Sequence, residues 1–192
     1  EPVYNGAVAF ADIDNDTDLD IILNGDIASA GDVSKVYLNN GSGLFTEDTR
    51  QSLLSASLSS IATADVDNDN DLDVLISGYN SSFQPKTSLY LNSGNGVLTE
   101  NTSAGLIDVS NASITFADID GDLDADVIIT GSGVGRVLQS KIYHNNGTGN
   151  FTEATNTNLT SVADGSVSVA DIDGDLDLEL RRFWLLFCSS SS

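Results

Sequence analysis

Three short segments of the chain are apolar at every position rather than at alternate ones: Ile21-Ile22-Leu23, Val74-Leu75-Ile76 and Val127-Ile128-Ile129. A strand in a sheet with one wet face alternates apolar and polar residues, so these unbroken runs predict strands buried on both faces. Glycines at positions 25, 78 and 131 are read as the points where these strands stop. Another strand precedes each run, Gly6 to Ala11 in the first unit and Ala112 to Ala117 in the third. Two more follow, Lys35 to Leu38 and Leu44 to Glu47 with their counterparts, joined by an Asn/Gly turn of the hairpin kind. Each unit therefore reads as a four-stranded antiparallel sheet. Sheets stacked face to face and repeated radially bury both sides of an inner strand, which is how blades pack in a β-propeller.

The units are copies of one another. The blocks SKVYLNNGSGLFTEDT from Ser34, TSLYLNSGNGVLTENT from Thr87 and SKIYHNNGTGNFTEAT from Ser140 stand 53 residues apart, with Tyr37/Tyr90/Tyr143, Asn39/Asn92/Asn145, Gly41/Gly94/Gly147 and Glu47/Glu100/Glu153 in register. A fixed period of this length is the signature of a repeat array. The sequence thus predicts an all-β, β-propeller-type array over residues 1–179, with blades at about 5–50, 58–103 and 111–156 and a partial fourth over 164–187. Residues 180–192 break the pattern: Leu180-Arg181-Arg182-Phe183-Trp184-Leu185-Leu186-Phe187 replaces the β-branched run, and Cys188 and four serines follow. Two readings of this atypical tail stand side by side, a terminal strand that pairs with a neighbour and an artefact of the sequence end.

Between the first and second strands of each unit lies an acidic nonapeptide: DIDNDTDLD, DVDNDNDLD, DIDGDLDAD and DIDGDLDLE, beginning at residues 12, 65, 118 and 171. Carboxylates so closely spaced repel one another unless a cation intervenes, and alternate acids followed by another four residues on can wrap a hard cation in oxygen. Calcium, which takes six to eight oxygens at flexible angles, fits better than magnesium with its tight octahedron. The expected ligands are Asp12, Asp14, Asp16 and Asp20 with the backbone carbonyl at Asp18. In the other loops they are Asp65, Asp67, Asp69 and Asp73 with Asp71; Asp118, Asp120, Asp122 and Asp126 with Asp124; and Asp171, Asp173, Asp175 and Glu179 with Asp177. About one Ca2+ per loop, up to four, is expected. An EF-hand would need Glu at loop position 12, where Leu23, Ile76 and Ile129 stand, and flanking helices, for which there is no periodicity.

These loops change the meaning of the composition. The formal charge of −22 looks like a uniformly acidic surface, but the four loops hold 20 of the 29 Asp and Glu, and without them the charge is −22 + 20 = −2. Seven Lys and Arg, scattered singly apart from Arg181 and Arg182, give no basic footprint for a phosphate backbone, so nucleic acid is excluded as a partner. With one cysteine there is no disulfide framework. No apolar run approaches the roughly 20 residues of a membrane span, and Glu1-Pro2 does not begin a signal peptide.

The D-x-D-x-D-x-x-x-D loop and the later Y-x-N-x-G-x-G-x-x-x-T-E block together resemble the FG-GAP and VCBS-type repeats of integrin α-subunit propellers and of many bacterial secreted proteins, over residues from about 5 to 179. The resemblance implies calcium in the loop between the first two strands of each blade, and a propeller that serves as an adhesion or ligand-binding platform. Loop position 6, commonly Gly in that family, is Thr17, Asn70, Leu123 and Leu176 here. The family's propellers usually have about seven blades, where this chain has three and a half.

Other residues add little chemistry. His144, the sole histidine, occupies the place of Leu38 and Leu91 and reads as a substituted strand position rather than a catalytic base, and no nucleophilic triad can be assembled around it. The three tyrosines in register read as packing residues before sugar-stacking platforms. Sequons at Asn40, Asn80, Asn101, Asn111, Asn146, Asn150 and Asn158 are candidate glycosylation sites, and an eighth, Asn15, falls inside an acidic loop. The expectation is a non-enzymatic, calcium-stabilised protein of the extracellular space or cell surface, acting in adhesion or structural assembly. Its partners would be further copies of itself, joined head to tail, or an extracellular protein or glycan. A soluble glycan- or protein-binding module, including a piece of a larger secreted protein, is the alternative.

Overall fold

The computed structural model of the protein describes residues 2–29 and 31–169. They build three four-stranded antiparallel sheets of one design, with strand order following the chain in each. The first holds β1 (Tyr4–Ala11), β2 (Asp20–Ile27), β3 (Gly31–Asn39) and β4 (Phe45–Glu47). The second holds β5 (Ser57–Ala64), β6 (Asp73–Tyr79), β7 (Pro85–Asn92) and β8 (Leu98–Glu100), and the third β9 (Ser110–Ala117), β10 (Asp126–Ser132), β11 (Leu138–Asn145) and β12 (Phe151–Glu153). A 3-10 turn at Val134–Arg136 is the only helical element among the described residues. The fourth acidic loop, the rest of the partial fourth unit beyond residue 169 and the tail 180–192 lie outside the described residues.

The apolar runs become the second strand of each sheet, and their burial follows the stacking. Val74, Leu75 and Ile76 of β6 and Val127, Ile128 and Ile129 of β10 are fully buried. Each such burial is worth roughly 1.5–3 kcal/mol relative to exposure. One face of β6 meets the first sheet, where Val74 and Ile76 pack with Ala11, Ile13, Ile22, Val36, Tyr90 and Leu98. The other meets the third sheet, where Leu75 and Leu89 pack with Val109, Ile114, Val127, Ile129 and Tyr143. The outer face of the third sheet is covered by the chain that follows it: Ile128 and Ile142 pack with Leu159, Val167 and Val169. The linkers keep the 53-residue register, for Ala56, Val109 and Val162 are all buried.

In the first sheet the expectation of burial on both faces fails. β2 alternates at its start, with Asp20 and Ile22 buried and Ile21 half-buried, because no sheet among the described residues covers that side. Ile21 pairs with Phe10 and Tyr37, and Leu23 with Val8 and Lys35, so these residues share the uncovered face. Val8 is 56% and Phe10 59% exposed.

The glycines of the second strands also correct the sequence reading. They do not stop the strands, which run on to Ile27, Tyr79 and Ser132. They sit opposite a bulge in the first strand, where the register shifts by one residue between Tyr4 and Ala7, between Ser57 and Ser60, and between Ser110 and Ser113. The bulge residues Asn5, Leu58 and Asn111 all have positive φ. The bulge brings the two backbones so close that a Cβ on Gly78 would lie 2.7 Å from the Ser57 carbonyl oxygen. These three bulges gather around one cleft of about 250 Å³ that Asn5, Leu58 and Asn111 line together, so the first strands converge as the inner strands of blades do. β1 adjoins β5, and β5 adjoins β9.

Candidate metal centres

Each acidic loop joins the first strand of a sheet to the second, and its own carboxylates fold it. The aspartate at loop position 1 collects backbone N–H groups from further along the loop: Asp12 from Asp16 (3.1 Å) and Thr17 (2.9 Å), Asp65 from Asp69 (3.2 Å) and Asn70 (2.9 Å), Asp118 from Gly121 (2.8 Å) and Leu123 (3.0 Å). Asp16, Asp69 and Asp122 at position 5 each accept the N–H two residues on. Closing this tight turn places position 6 in the left-handed region, with φ of 76° at Thr17, 71° at Asn70 and 74° at Leu123. That is a conformation that glycine adopts without steric cost and other residues do not.

The last aspartate of each loop is the anchor. Asp20, Asp73 and Asp126 are fully buried. One oxygen of each accepts the N–H of loop position 2, from Ile13 (2.9 Å), Val66 (2.8 Å) and Ile119 (3.0 Å). The other accepts the N–H of Asn39, Asn92 or Asn145 at the end of the third strand, each at 2.8 Å. The carboxylate is thus fixed from two sides, by the loop's own backbone and by the end of the third strand.

The first two loops bring the same three positions together. Ligand atoms of Asp12, Asp14 and Asp20 lie within 4.8 Å of one another, and so do those of Asp65, Asp67 and Asp73. Asp14 Oδ1 and Asp67 Oδ1 are buried and have no hydrogen-bond partner. A buried, unpaired carboxylate oxygen facing other carboxylates is costly by itself and is what a cation site requires. Burial and the neighbouring acids raise the Asp14 and Asp67 carboxyls above the ordinary carboxylate range, and burial pushes Asp73 up to about 7 against the pull of its two N–H bonds. A divalent ion would reverse that logic by favouring the charged form. The donor set and the orphaned oxygens fit a hard cation.

Position 7 does something else. The side chains of Asp18, Asp71 and Asp124 turn from the loop centre to lie against the hairpin glycines Gly41, Gly94 and Gly147, and a Cβ on Gly94 would fall 2.7 Å from Asp71 Oδ2. Asp71 also accepts the Asn15 side-chain amide from the loop of the preceding sheet, and Asp124 accepts that of Asn68 at 2.8 Å. These aspartates staple successive acidic loops into a row.

The third loop is built differently. Asp118, Asp120 and Asp122 form one group, and Asp120 and Asp126 form another with His144. Its Nδ1 lies 3.2 Å from Asp120 Oδ2 and 3.3 Å from Asp126 Oδ2. Sequence reasoning placed His144 only as a strand substitution. The signal that could have found it is its position just before Asn145, whose N–H binds Asp126. The fourth set, Asp171, Asp173, Asp175, Asp177 and Glu179, lies outside the described residues.

Two of the three tyrosines in register are packing residues, Tyr90 and Tyr143 being each 3% exposed, while Tyr37 is half-buried on the outer face of the first sheet. Tyr90 Oη accepts the Leu54 N–H of the preceding linker at 2.7 Å. Among the sequons, Asn40, Asn146 and Asn158 are exposed, while Asn80, Asn101, Asn111 and Asn150 are partly buried. Asn101 donates its amide to the Gly149 carbonyl at 2.8 Å and Asn111 donates to Asp164, bonds that a glycan on either amide nitrogen would displace.

The sequence model described as FG-GAP-like repeat matches residues 24–76, 65–129 and 130–180, the last running through the fourth acidic loop. No curated protein matches the chain. Among the described residues no helix is long and apolar enough to cross a membrane.

Proposed function

Because the chain belongs to the FG-GAP-like repeat family, we propose that it is a calcium-stabilised, non-enzymatic extracellular repeat protein that acts in adhesion or structural self-assembly. Calcium would be held by Asp12, Asp14 and Asp20 and by Asp65, Asp67 and Asp73, with Asp16 and Asp69 and the carbonyls at Asp18 and Asp71 within the same turns. Once bound, the ion would supply the positive charge that neutralises the clustered carboxylates and a centre for their oxygens to surround. The protein's own contribution is to fix the carboxylates through strand-end N–H groups. Sites of about 10 μM affinity would be filled at about 1 mM free calcium, which is an extracellular level, and each would then add roughly 2.7 kcal/mol to stability.

The observation that carries the assembly reading is the face of the first sheet that no sheet among the described residues covers. Ile21, Leu23 and Tyr37 are the counterparts of Val74, Ile76 and Tyr90, which fill the core between the first two sheets. Asn39 is the counterpart of Asn92, which donates to the Ile13 carbonyl of the preceding blade. This face is therefore made like a blade interface and suits the trailing blade of another such unit, the geometry of head-to-tail association. Electron microscopy and light scattering of the purified protein in calcium, then in chelator, test it. Calcium-dependent oligomers or filaments support the reading, and a monodisperse monomer at high concentration in calcium overturns it.

One feature favours a ligand-binding role beside this. At the opposite end of the strands from the acidic loops, a cleft of about 470 Å³ is lined by Asp26, Tyr79, Phe83, Gln84 and Arg136. Phe83 is 81% exposed there. An exposed aromatic ring among polar groups of both charges suits a glycan or an extended peptide, and a glycan array with Phe83→Ala as control tests that role.

A further inference from the structure

Resting on the ligand-binding reading of the cleft at the far end of the strands, we propose that its ligand is a glycan ending in a carboxylate-bearing sugar, of the uronic or sialic acid class, held by Phe83 and Arg136. These two residues stand at one position of the repeat, 53 residues apart. Each lies in the tight turn between the second and third strands of its sheet, and the two turns close alike. The Phe83 N–H donates to the Asn80 carbonyl at 2.8 Å and the Arg136 N–H to the Gly133 carbonyl at 3.0 Å. Both residues adopt the left-handed conformation, with φ of 55° and 62°, which glycine takes without steric cost. The chain places there instead a phenyl ring and a guanidinium, both exposed and both lining the same cleft. Backbone strain held at two equivalent positions to display such side chains points to recognition rather than to folding.

The charges narrow the ligand. Lys35, Arg50, Lys86 and Lys141 each hold a carboxylate of the chain itself, with Glu47, Asp48, Asp108 and Glu153 as partners. Among the described residues the Arg136 side chain makes neither an ion pair nor a hydrogen bond, although the chain carries a formal charge of −22. A planar guanidinium matches a carboxylate through two parallel N–H bonds. The Phe83 ring offers a flat apolar surface to the C–H face of a sugar ring, and Asn5, Asp26 and Gln84 line the cleft with donors and acceptors for its hydroxyls. Asp26 repels a second acid, so one carboxylate among hydroxyls fits where an acidic peptide or a polyanion does not. The volume of about 470 Å³ is that of a small-ligand site.

The probes are one oligosaccharide ending in glucuronic acid, one ending in sialic acid, and the carboxyl-reduced form of each, titrated calorimetrically into the full chain in millimolar calcium. At least one acid form is expected to bind about tenfold or more tighter than its reduced form, the loss of a charge-assisted bidentate contact. Arg136→Gln should erase that preference, and Phe83→Ala should weaken acid and reduced forms alike. Both side chains are exposed, so the melting curves of the two variants should match that of the wild type. Equal binding of acid and reduced forms, or a preference that survives Arg136→Gln, would overturn the carboxylate assignment while leaving the cleft a binding site. An acidic peptide bound more tightly than either glycan would overturn the sugar. No binding of any probe would overturn the proposal, and a glycan array blank for neutral glycans as well would overturn the cleft reading with it.

Discussion

Asn92 donates its side-chain amide to the backbone carbonyl of Ile13 at 2.8 Å, across the junction of the first and second sheets and 79 residues away in sequence. Asn145 makes the same bond to Val66, also at 2.8 Å, across the next junction. Both asparagines are buried, and both also place their own N–H on the anchoring aspartate of their blade. One residue type at one register position thus ties the acidic loop of a blade to the loop of the blade before it. Removing the amide strands a buried carbonyl, which costs about 1–3 kcal/mol. Asn92→Ala is expected to lose that much in denaturant unfolding. Asn39→Ala, at the equivalent position on the uncovered first sheet, is expected to lose less than half as much, and equal losses would show that the bond across the junction is not what matters.

The left-handed turn at loop position 6 yields a prediction in the stabilising direction. A side chain other than glycine in this conformation costs about 1–2 kcal/mol, of which glycine's extra unfolded-state entropy returns roughly 0.5–1 kcal/mol. Leu123 is 86% exposed, so its side chain has little packing to lose. Leu123→Gly should raise the melting temperature by about 1–4 °C for a domain of this size. Asn70→Gly should gain less, because asparagine tolerates the left-handed region. Thermal melts of the two variants side by side check the ranking.

Acid sensitivity at the first junction follows from Asp48. Its side chain is 4% exposed and accepts Nε and Nη2 of Arg50, whose Nη1 reaches the Asn95 carbonyl on the second sheet. Hydrogen bonding from Arg50 holds the Asp48 carboxyl below the ordinary carboxylate range. Protons therefore bind the unfolded chain more readily, so the stability this pair adds is complete above the unfolded carboxylate value near pH 4. It is lost as pH falls through the lower folded value. The stability difference between wild type and Arg50→Gln should be constant from pH 7 to about pH 5 and shrink toward zero as Asp48 is protonated. A difference that persists to the lowest pH at which the protein folds would assign the role of Arg50 to packing.

The sheets were legible because three signals agree: unbroken apolar runs at Ile21, Val74 and Val127, turn glycines in the hairpins, and a constant period. The acidic loops were legible because five acids recur at alternate positions in each nonapeptide at a constant period. What escaped depends on contacts between distant residues. Gly78 looks like a strand stop in sequence, but its role is set by the bulge at Leu58 on the neighbouring strand, and leucine at a positive φ leaves no sequence signal. Asp71 belongs to the same acidic pattern as Asp67, yet it faces Asn15 of the preceding loop, which only the stacking of blades reveals. Burial of the second strands on both faces holds for β6 and β10 and fails for β2, because burial belongs to the stack and not to the strand's own sequence.

The most direct measurement is the melting temperature of the protein in millimolar calcium and after chelation, repeated for the Asp14→Asn/Asp67→Asn double variant. If each site is held at about a hundred times its dissociation constant, it adds roughly 2.7 kcal/mol, and each kcal/mol moves the transition by about 2–4 °C. Chelation should therefore lower the wild-type melting temperature by at least about 5 °C. The double variant, which removes one negative charge from each of the two loops with orphaned buried oxygens, should lose most of that response. A wild-type melting temperature unchanged by chelation would contradict the structural role of calcium on which the account rests.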